Sequence, residues 1–322
     1  MLLKELCDTI AVSGYENNIA DYIQSMFSSF NAFTLQKSNI GNLIYHKPSI
    51  SNNVKIMIIA HMDEVGCQIT NKIAPYCYEF KVLGSIKAWN LTNQRIKFEN
   101  GALGMICLKQ EKSLTIKEFD NLYVYTFTDN ITIGDTFTFC NQFVETQESF
   151  ISKSLDNRIS IYGILEALSE LNIENIVDDL FIVFTVQEEI GMRGAKVAIS
   201  SIKPDIIINI DASAIGEKNN IIIGGGVAVK ISDSIGVSDR YLVGKIMLLA
   251  KQNNILLQPE VSDCGTSELI MVNESDEGSR TVGISIPCQS IHTANTIVNK
   301  LDYHAYKKLL KTLLVNLNNI VG

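Results

Sequence analysis

The chain has 322 residues, 46% of them hydrophobic and 19% charged, with a formal net charge of −8. That composition fits a globular protein with room for about two domains and excludes a fibrous, low-complexity or disordered chain. The acidic balance and the lack of a basic run argue against nucleic-acid partners, and no apolar run reaches the roughly 20 residues that span a bilayer. The opening Met1-Leu2-Leu3-Lys4-Glu5-Leu6 has neither the apolar core nor the cleavage site of a signal peptide. Seven cysteines are scattered singly, without a Cys-x-x-Cys pair, and read as reduced thiols of a cytoplasmic protein.

Ser13-Gly14-Tyr15-Glu16 has the spacing of a capping box, with Ser13 as N-cap and Glu16 three residues on. Ile19, Tyr22, Ile23, Met26, Phe27 and Phe30 then recur at helical spacing. Gly41-Asn42-Leu43-Ile44-Tyr45 predicts a turn into a short strand. The run from Val54 to Ala60 predicts a buried strand leading directly into His61-Met62-Asp63-Glu64-Val65-Gly66. Asp63, two residues beyond His61, is spaced to orient the imidazole and fix which ring nitrogen faces a metal. From about residue 68 to 150 the pattern changes. Short β-like runs (Glu79 to Leu83, Ala102 to Lys109, Asn121 to Phe127, Thr136 to Cys140) are broken by Gly, Asn and Asp. This reads as an all-β module, 68–150, inserted into an α/β domain made of 1–67 and 151–322. No acid or histidine cluster marks it.

The α/β character returns at Ser154-Leu155-Asp156-Asn157-Arg158, where Asp156 sits near a helix start and Ile161, Ile164, Leu165, Leu168 and Leu171 form the apolar stripe. A strand from Leu180 to Val186 leads to Glu188 and Glu189. Neighbouring side chains on an extended segment point to opposite sides, so one Glu can hold a metal while the other faces a substrate or a water. Gly191-Met192-Arg193-Gly194-Ala195 turns into another helix. Asp205 to Ile210 predicts a strand ending on Asp211. Gly224-Gly225-Gly226 lacks the Gly-Lys-Ser/Thr of a phosphate loop and reads as a tight turn. Asp239 to Lys251 predicts a helix, Ser262-Asp263-Cys264-Gly265-Thr266 a polar turn, and Thr281 to Ile286 a strand leading to Ile291-His292-Thr293. The stretch from Leu301 to Leu317 predicts an amphipathic helix that covers the sheet.

Four buried strands thus end at or near a metal-capable side chain: His61, Glu188/Glu189, Asp211 and His292. Functional crevices of open α/β sheets lie beyond the carboxyl ends of the strands, so these groups can meet, with Asp156 joining from its helix. Two histidines and three carboxylates suit zinc, cobalt or manganese. They are too many for one tetrahedral ion with an open position and natural for two ions that share a bridging carboxylate, leaving the other Glu as a base.

The motifs Ala60-His61-Met62-Asp63-Glu64-Val65-Gly66, Leu155-Asp156-Asn157-Arg158, Gln187 to Ala195, Ile210-Asp211, Ser262-Asp263-Cys264-Gly265 and Ile291-His292-Thr293 resemble, in order and over nearly the whole chain, the two-zinc aminopeptidases that include glutamyl, deblocking and tetrahedral (TET) aminopeptidases. The resemblance implies a three-layer α/β/α zinc-peptidase (phosphorylase/hydrolase-like) domain with an inserted barrel-like β dimerisation domain. It implies His61 and Asp211 on one metal, Glu189 and His292 on the other, Asp156 bridging, Glu188 as general base and acid, and Asp63 orienting His61. It further implies a cis peptide after Asp156, peptide substrates with a free N-terminus, and dimers assembling into a hollow dodecamer. Two departures stand out. His292 is followed by Thr293-Ala294-Asn295-Thr296 where the family carries Ser-Pro-Val-Glu, and Ala212-Ser213-Ala214 follows Asp211 where it tends to carry a second Asp. Taken alone, the residues leave open another di-zinc amidohydrolase or deacylase, or an inactive metal-binding assembly protein. A sugar-active enzyme has no separate carboxylate pair to support it.

Overall fold

The computed structural model describes residues 2–49, 54–110, 115, 118–263, 265, 267–269 and 278–321. Four apolar, β-branched runs form the parallel centre of an 11-stranded mixed sheet, in the spatial order Asp179–Thr185, Lys55–His61, Ile206–Ala214, Arg280–Gln289. The antiparallel strands Thr34–Lys37 and Leu43–Lys47 extend one side. Thr296–Asn299, Ser149–Ser152 and Val144–Glu145 extend the other, and Val227–Ser232 leaves Arg280–Gln289 to carry Leu257–Val261.

The central strands are apolar on both faces along most of their length because both faces are covered. Ile56, Ile58, Ile208 and Ile210 point to one face, into a core shared with helices Leu155–Ser169 and Lys300–Leu314. Met57, Ile59 and Ile207 point to the other, under helix Arg193–Ile202. This period-two alternation builds three layers, α/β/α, as expected. Among the described residues no helix is long and apolar enough to cross a membrane.

Between Gly66 and Phe139 the chain closes a separate six-stranded barrel, in the order Gly66–Ala74, Cys77–Leu83, Leu122–Thr126, Leu103–Leu108, Arg95–Phe98, Thr136–Phe139. Ile96 and Phe98 point inward while Arg95 and Lys97 point outward, and Leu122 and Val124 alternate with Tyr123 and Tyr125 in the same way. Among the described residues two short helical segments, Ala88–Leu91 and the single 3-10 turn Phe119–Asn121, interrupt the β pattern.

Two local expectations fail. The first long helix runs Asn17–Phe27 with Glu16 at its N-cap position and no side-chain cap, so the capping box does not form. Ser13 and Glu16 are drawn instead into contacts beside the sheet rim. The strand expected to stop at Asp211 continues to Ala214, paired residue for residue with Arg280–Gln289, so Asp211 lies inside the sheet opposite Ser285. The glycine turn at 224–226 wraps an internal acid: the Gly224 and Gly226 amides donate to the Asp302 carboxylate at 2.8 and 2.7 Å. Cys264 and Thr266 of the polar turn lie outside the described residues.

Candidate metal centre

The parallel strands deliver their C-terminal ends to one rim, and the chain's chemistry collects there. His61 is the last residue of its strand and pairs in register with Thr185. Glu188 and Glu189 follow three and four residues after Thr185, Asp211 projects from the adjacent strand, and His292 follows Gln289 through a short turn. Asp156 enters from the start of its helix at a non-helical φ/ψ of −81° and 107°, followed by a cis Asp156–Asn157 peptide.

Asp156 stands between the two imidazoles. Its Oδ1 lies 3.0 Å from His61 Nε2 and its Oδ2 lies 3.1 Å from His292 Nε2. The Oδ1 atom of Asp211 is 3.4 Å from His61 Nε2, Glu189 Oε1 is 3.2 Å from His292 Nε2, and Glu188 Oε2 approaches His61 Nε2 at 4.0 Å. Ligand atoms of His61, Asp156 and Asp211 lie within 4.8 Å of one another, as do those of Asp156, Glu189 and His292. Two overlapping triads therefore share one carboxylate.

Asp63 and Glu16 work from behind. Asp63 is fully buried. It accepts from Ser13 Oγ at 2.6 Å and from the amides of Glu188 and Glu189 at 3.0 and 3.2 Å, while His61 Nδ1 lies 3.5 Å away. Glu16 accepts from the amides of Gly14 and Gln187 at 2.7 and 3.0 Å. Asn42 completes the clamp on the Glu188–Glu189 turn, accepting from Val186 N at 3.1 Å and donating to Gly194 O at 2.8 Å. Only glycine fits at 194, because a Cβ there would lie 2.4 Å from the Val186 carbonyl oxygen. Sequence reasoning missed the roles of Ser13, Glu16 and Asn42. A capping-box spacing disguised the first two, and Asn42 looked like part of a turn.

Behind Asp156 lies a second buried charge group. Lys153 Nζ donates to both oxygens of Glu64 at 2.9 and 2.7 Å, and Ser154 Oγ donates to the same carboxylate. Glu64 also accepts from the Ala11 amide and from Thr138 Oγ1 of the barrel, tying the segment before Asp156 to both parts of the molecule.

Burying so many carboxylates raises the cost of ionising them. Burial pushes Glu188 well above the usual carboxylate range against the pull of His61, and Glu189 and Asp211 push it further. Burial likewise raises Glu189 and Asp211. Burial opposes charging of His61 and His292, yet the acids around them carry both well above the ordinary imidazole value. Asp156 goes the other way: burial acts to raise it, but His292 and His61 hold it down. Burial thus favours protons on these carboxyl groups, and divalent cations binding there would compete with those protons. His61 Nδ1 and Glu189 Oε1 are buried and make no well-directed hydrogen bond, having only the ion-pair contacts at 3.5 Å to Asp63 and 3.2 Å to His292. A mixed imidazole and carboxylate donor set with unsatisfied atoms fits zinc-like ions and no redox group in particular. The centre lines a cleft of about 490 Å³, with Ser85 and Lys87 near His292 and Ser213, Asn219 and Lys230 beyond Asp211.

The M42 glutamyl aminopeptidase family model matches residues 41–309. A protein of Acetivibrio thermocellus named as a putative aminopeptidase is 30% identical over 322 residues, covering 96% of each chain. The lysyl aminopeptidase of Pyrococcus furiosus is 28% identical, covering 98% of this chain and 96% of its own. Among solved structures, an aminopeptidase from the archaeon Desulfurococcus kamchatkensis superposes with a TM-score of 0.89 at 26% identity, covering 97% of this chain and 93% of its own. Whole-length matches of this kind, spanning every strand end that reaches the rim, make the chain a member of the M42 glutamyl aminopeptidase family, a metal-dependent aminopeptidase and thus an exopeptidase hydrolase.

Proposed function

We propose that the enzyme removes N-terminal residues from peptides with two divalent ions, zinc first and cobalt or manganese as alternatives. His61 and Asp211 would hold one ion, Glu189 and His292 the other, and Asp156 both. The observation that carries this reading is the placement of the two Asp156 oxygens, 3.0 and 3.1 Å from the two imidazole nitrogens, with a further acid beside each. When bound, the ions supply Lewis acidity, lowering the pKa of a water and polarising the scissile carbonyl.

The protein's own groups do the rest. Glu188 accepts the proton of the attacking water and returns it to the leaving amine. Asp63 holds the His61 ring and, through two amides, the turn that carries both glutamates. The acidic rim draws the peptide's free ammonium end, which supports exopeptidase action. The barrel, within a module spanning 68–150 set against a catalytic unit of 1–67 and 151–322, is read as the dimerisation part. Its exposed Ile73, Tyr76, Leu103, Tyr125 and Phe127 support that role. A TET1 peptidase of Pyrococcus horikoshii can assemble into a tetrahedron or a large octahedral shell, and dimers assembling into a hollow dodecamer are proposed here by likeness. A cytoplasmic setting agrees with six described cysteines that are all unpaired.

The test is a panel of acidic, basic and aliphatic amino-acid anilides, run after chelation and metal add-back on the wild type and on Asp156→Ala. Wild type should bind two ions and cleave free-amine but not N-acetylated substrates. Asp156→Ala should lose both ions. A variant that keeps two ions, or a wild type that cleaves acetylated peptide equally, overturns the reading.

A further inference from the structure

We propose that Lys87 binds the α-carboxylate of short peptides, making this an enzyme that favours dipeptides with a free C-terminus. The inference rests on the cleft orientation proposed above, with the ammonium end of the substrate on the acids.

Two lysines line the cleft, Lys87 on the wall beside His292 and Lys230 near Asp211, and they differ. Lys230 is buried and already neutralised: Glu260 Oε1 lies 3.7 Å from its ammonium. The side near Asp211 therefore presents no free cation to repel a substrate ammonium. Lys87 is exposed in the cleft wall and pairs with no carboxylate among the described residues; its Nζ rests 5.5 Å from the Trp89 ring centroid. That contact leaves the cation free for an anion, because a cation over an exposed ring is weakly held.

The wall that carries Lys87 is fixed against the centre. The Ser85 carbonyl oxygen lies 3.2 Å from His292 Nδ1. The Gly84 backbone packs so near that a Cβ there would sit 3.4 Å from the Glu189 Cβ. Ile86 and Ala88, on either side of Lys87, are buried in the barrel core. Lys87 thus starts two residues from a contact with His292 and projects into the cleft. One residue of extended peptide spans about 3.3–3.6 Å, so the carboxylate of a dipeptide lies one residue beyond the scissile bond. A lysine rooted two residues from the contact with His292 stands on that side of the cleft, whereas the carboxylate of a long peptide lies several residues further on. The substrate dipole, ammonium to carboxylate, then matches the cleft from Asp211 to Lys87.

The experiment compares kcat/KM for a dipeptide, its first residue being the best of the anilide panel, with that for its C-terminal amide. The wild type should favour the free acid by about three- to ten-fold, chiefly through KM, as a partly exposed charge-assisted pair provides. Lys87→Met should bring the ratio to about one, Lys87→Arg should retain it, and raised salt should compress it. A merely structural role for Lys87 would move both substrates together and leave the ratio unaltered. Equal rates on acid and amide in the wild type, or a preference that survives in Lys87→Met, overturns the proposal alone. A wild type that cleaves neither substrate overturns the site reading along with it.

Discussion

The rim of the large sheet and the interior of the barrel are both buried, yet they are built on opposite principles. The barrel is filled by Ile96, Phe98, Ile106, Leu122, Val124 and Phe137, all apolar and mutually packed. The rim brings Asp63, Asp156, Glu188, Glu189 and Asp211 around two imidazoles and leaves polar atoms unsatisfied. A protein core tolerates the second arrangement only where a ligand completes it. The barrel interior therefore contributes packing, and the rim contributes chemistry.

Substitutions can break that contrast. The largest expected effect is on the rim: Glu188→Gln should reduce turnover by about 10²–10⁴-fold with metal content and melting temperature nearly unaltered, read by anilide kinetics, metal analysis and calorimetry. In the barrel, Phe137 is fully buried with ring centroids 5.2 Å from Phe98 and 5.7 Å from Phe80. Phe137→Ala should cost about 3–5 kcal/mol of stability, measured by denaturant unfolding, and thus fail by the opposite route. Asp63→Asn keeps the shape but weakens the hold on His61, and should lower metal affinity about 10–100-fold in a competition titration with a chelating dye.

The smallest effect lies away from both regions. Glu166 accepts from Tyr303, Tyr162 and Lys307. Partial burial acts to raise its pKa, but those three donors hold it below the ordinary value. A carboxyl group depressed in the fold stabilises above its unfolded pKa, about 4.3, and loses that contribution as pH falls through the folded value. Glu166→Gln should flatten the acid side of a plot of melting temperature against pH while leaving anilide turnover untouched.

Periodicity and strand-end chemistry made much of the fold legible. The runs ending near His61, Glu188 and Asp211 are uninterrupted and β-branched, and such runs have few alternatives to a covered parallel sheet. The strand ends then placed His61, Glu188, Glu189, Asp211 and His292 in one neighbourhood, with Asp156 joining from its helix. What stayed hidden depends on contacts distant in sequence. Ser13 and Asp63 are 50 residues apart, and Glu16 and Gln187 are 171 apart. Local spacing at Ser13 and Glu16 favoured a cap, and the tertiary demand of the Glu188–Glu189 turn prevailed. Barrel closure was legible only through the family resemblance and not through periodicity, because Gly66–Ala74 and Arg95–Phe98 mix inward apolar and outward polar residues too briefly to announce themselves.

His292 hangs from both parts of the molecule. Its ring meets the Ser85 carbonyl, and Ala294, two residues on, is embedded in the barrel's apolar filling. Excising the module and rejoining the stumps would thus unseat one of the two imidazoles along with the inserted strands. Any graft that exchanges modules between homologues must carry matching partners for residues 292–294, or the hybrid will fold without a complete centre.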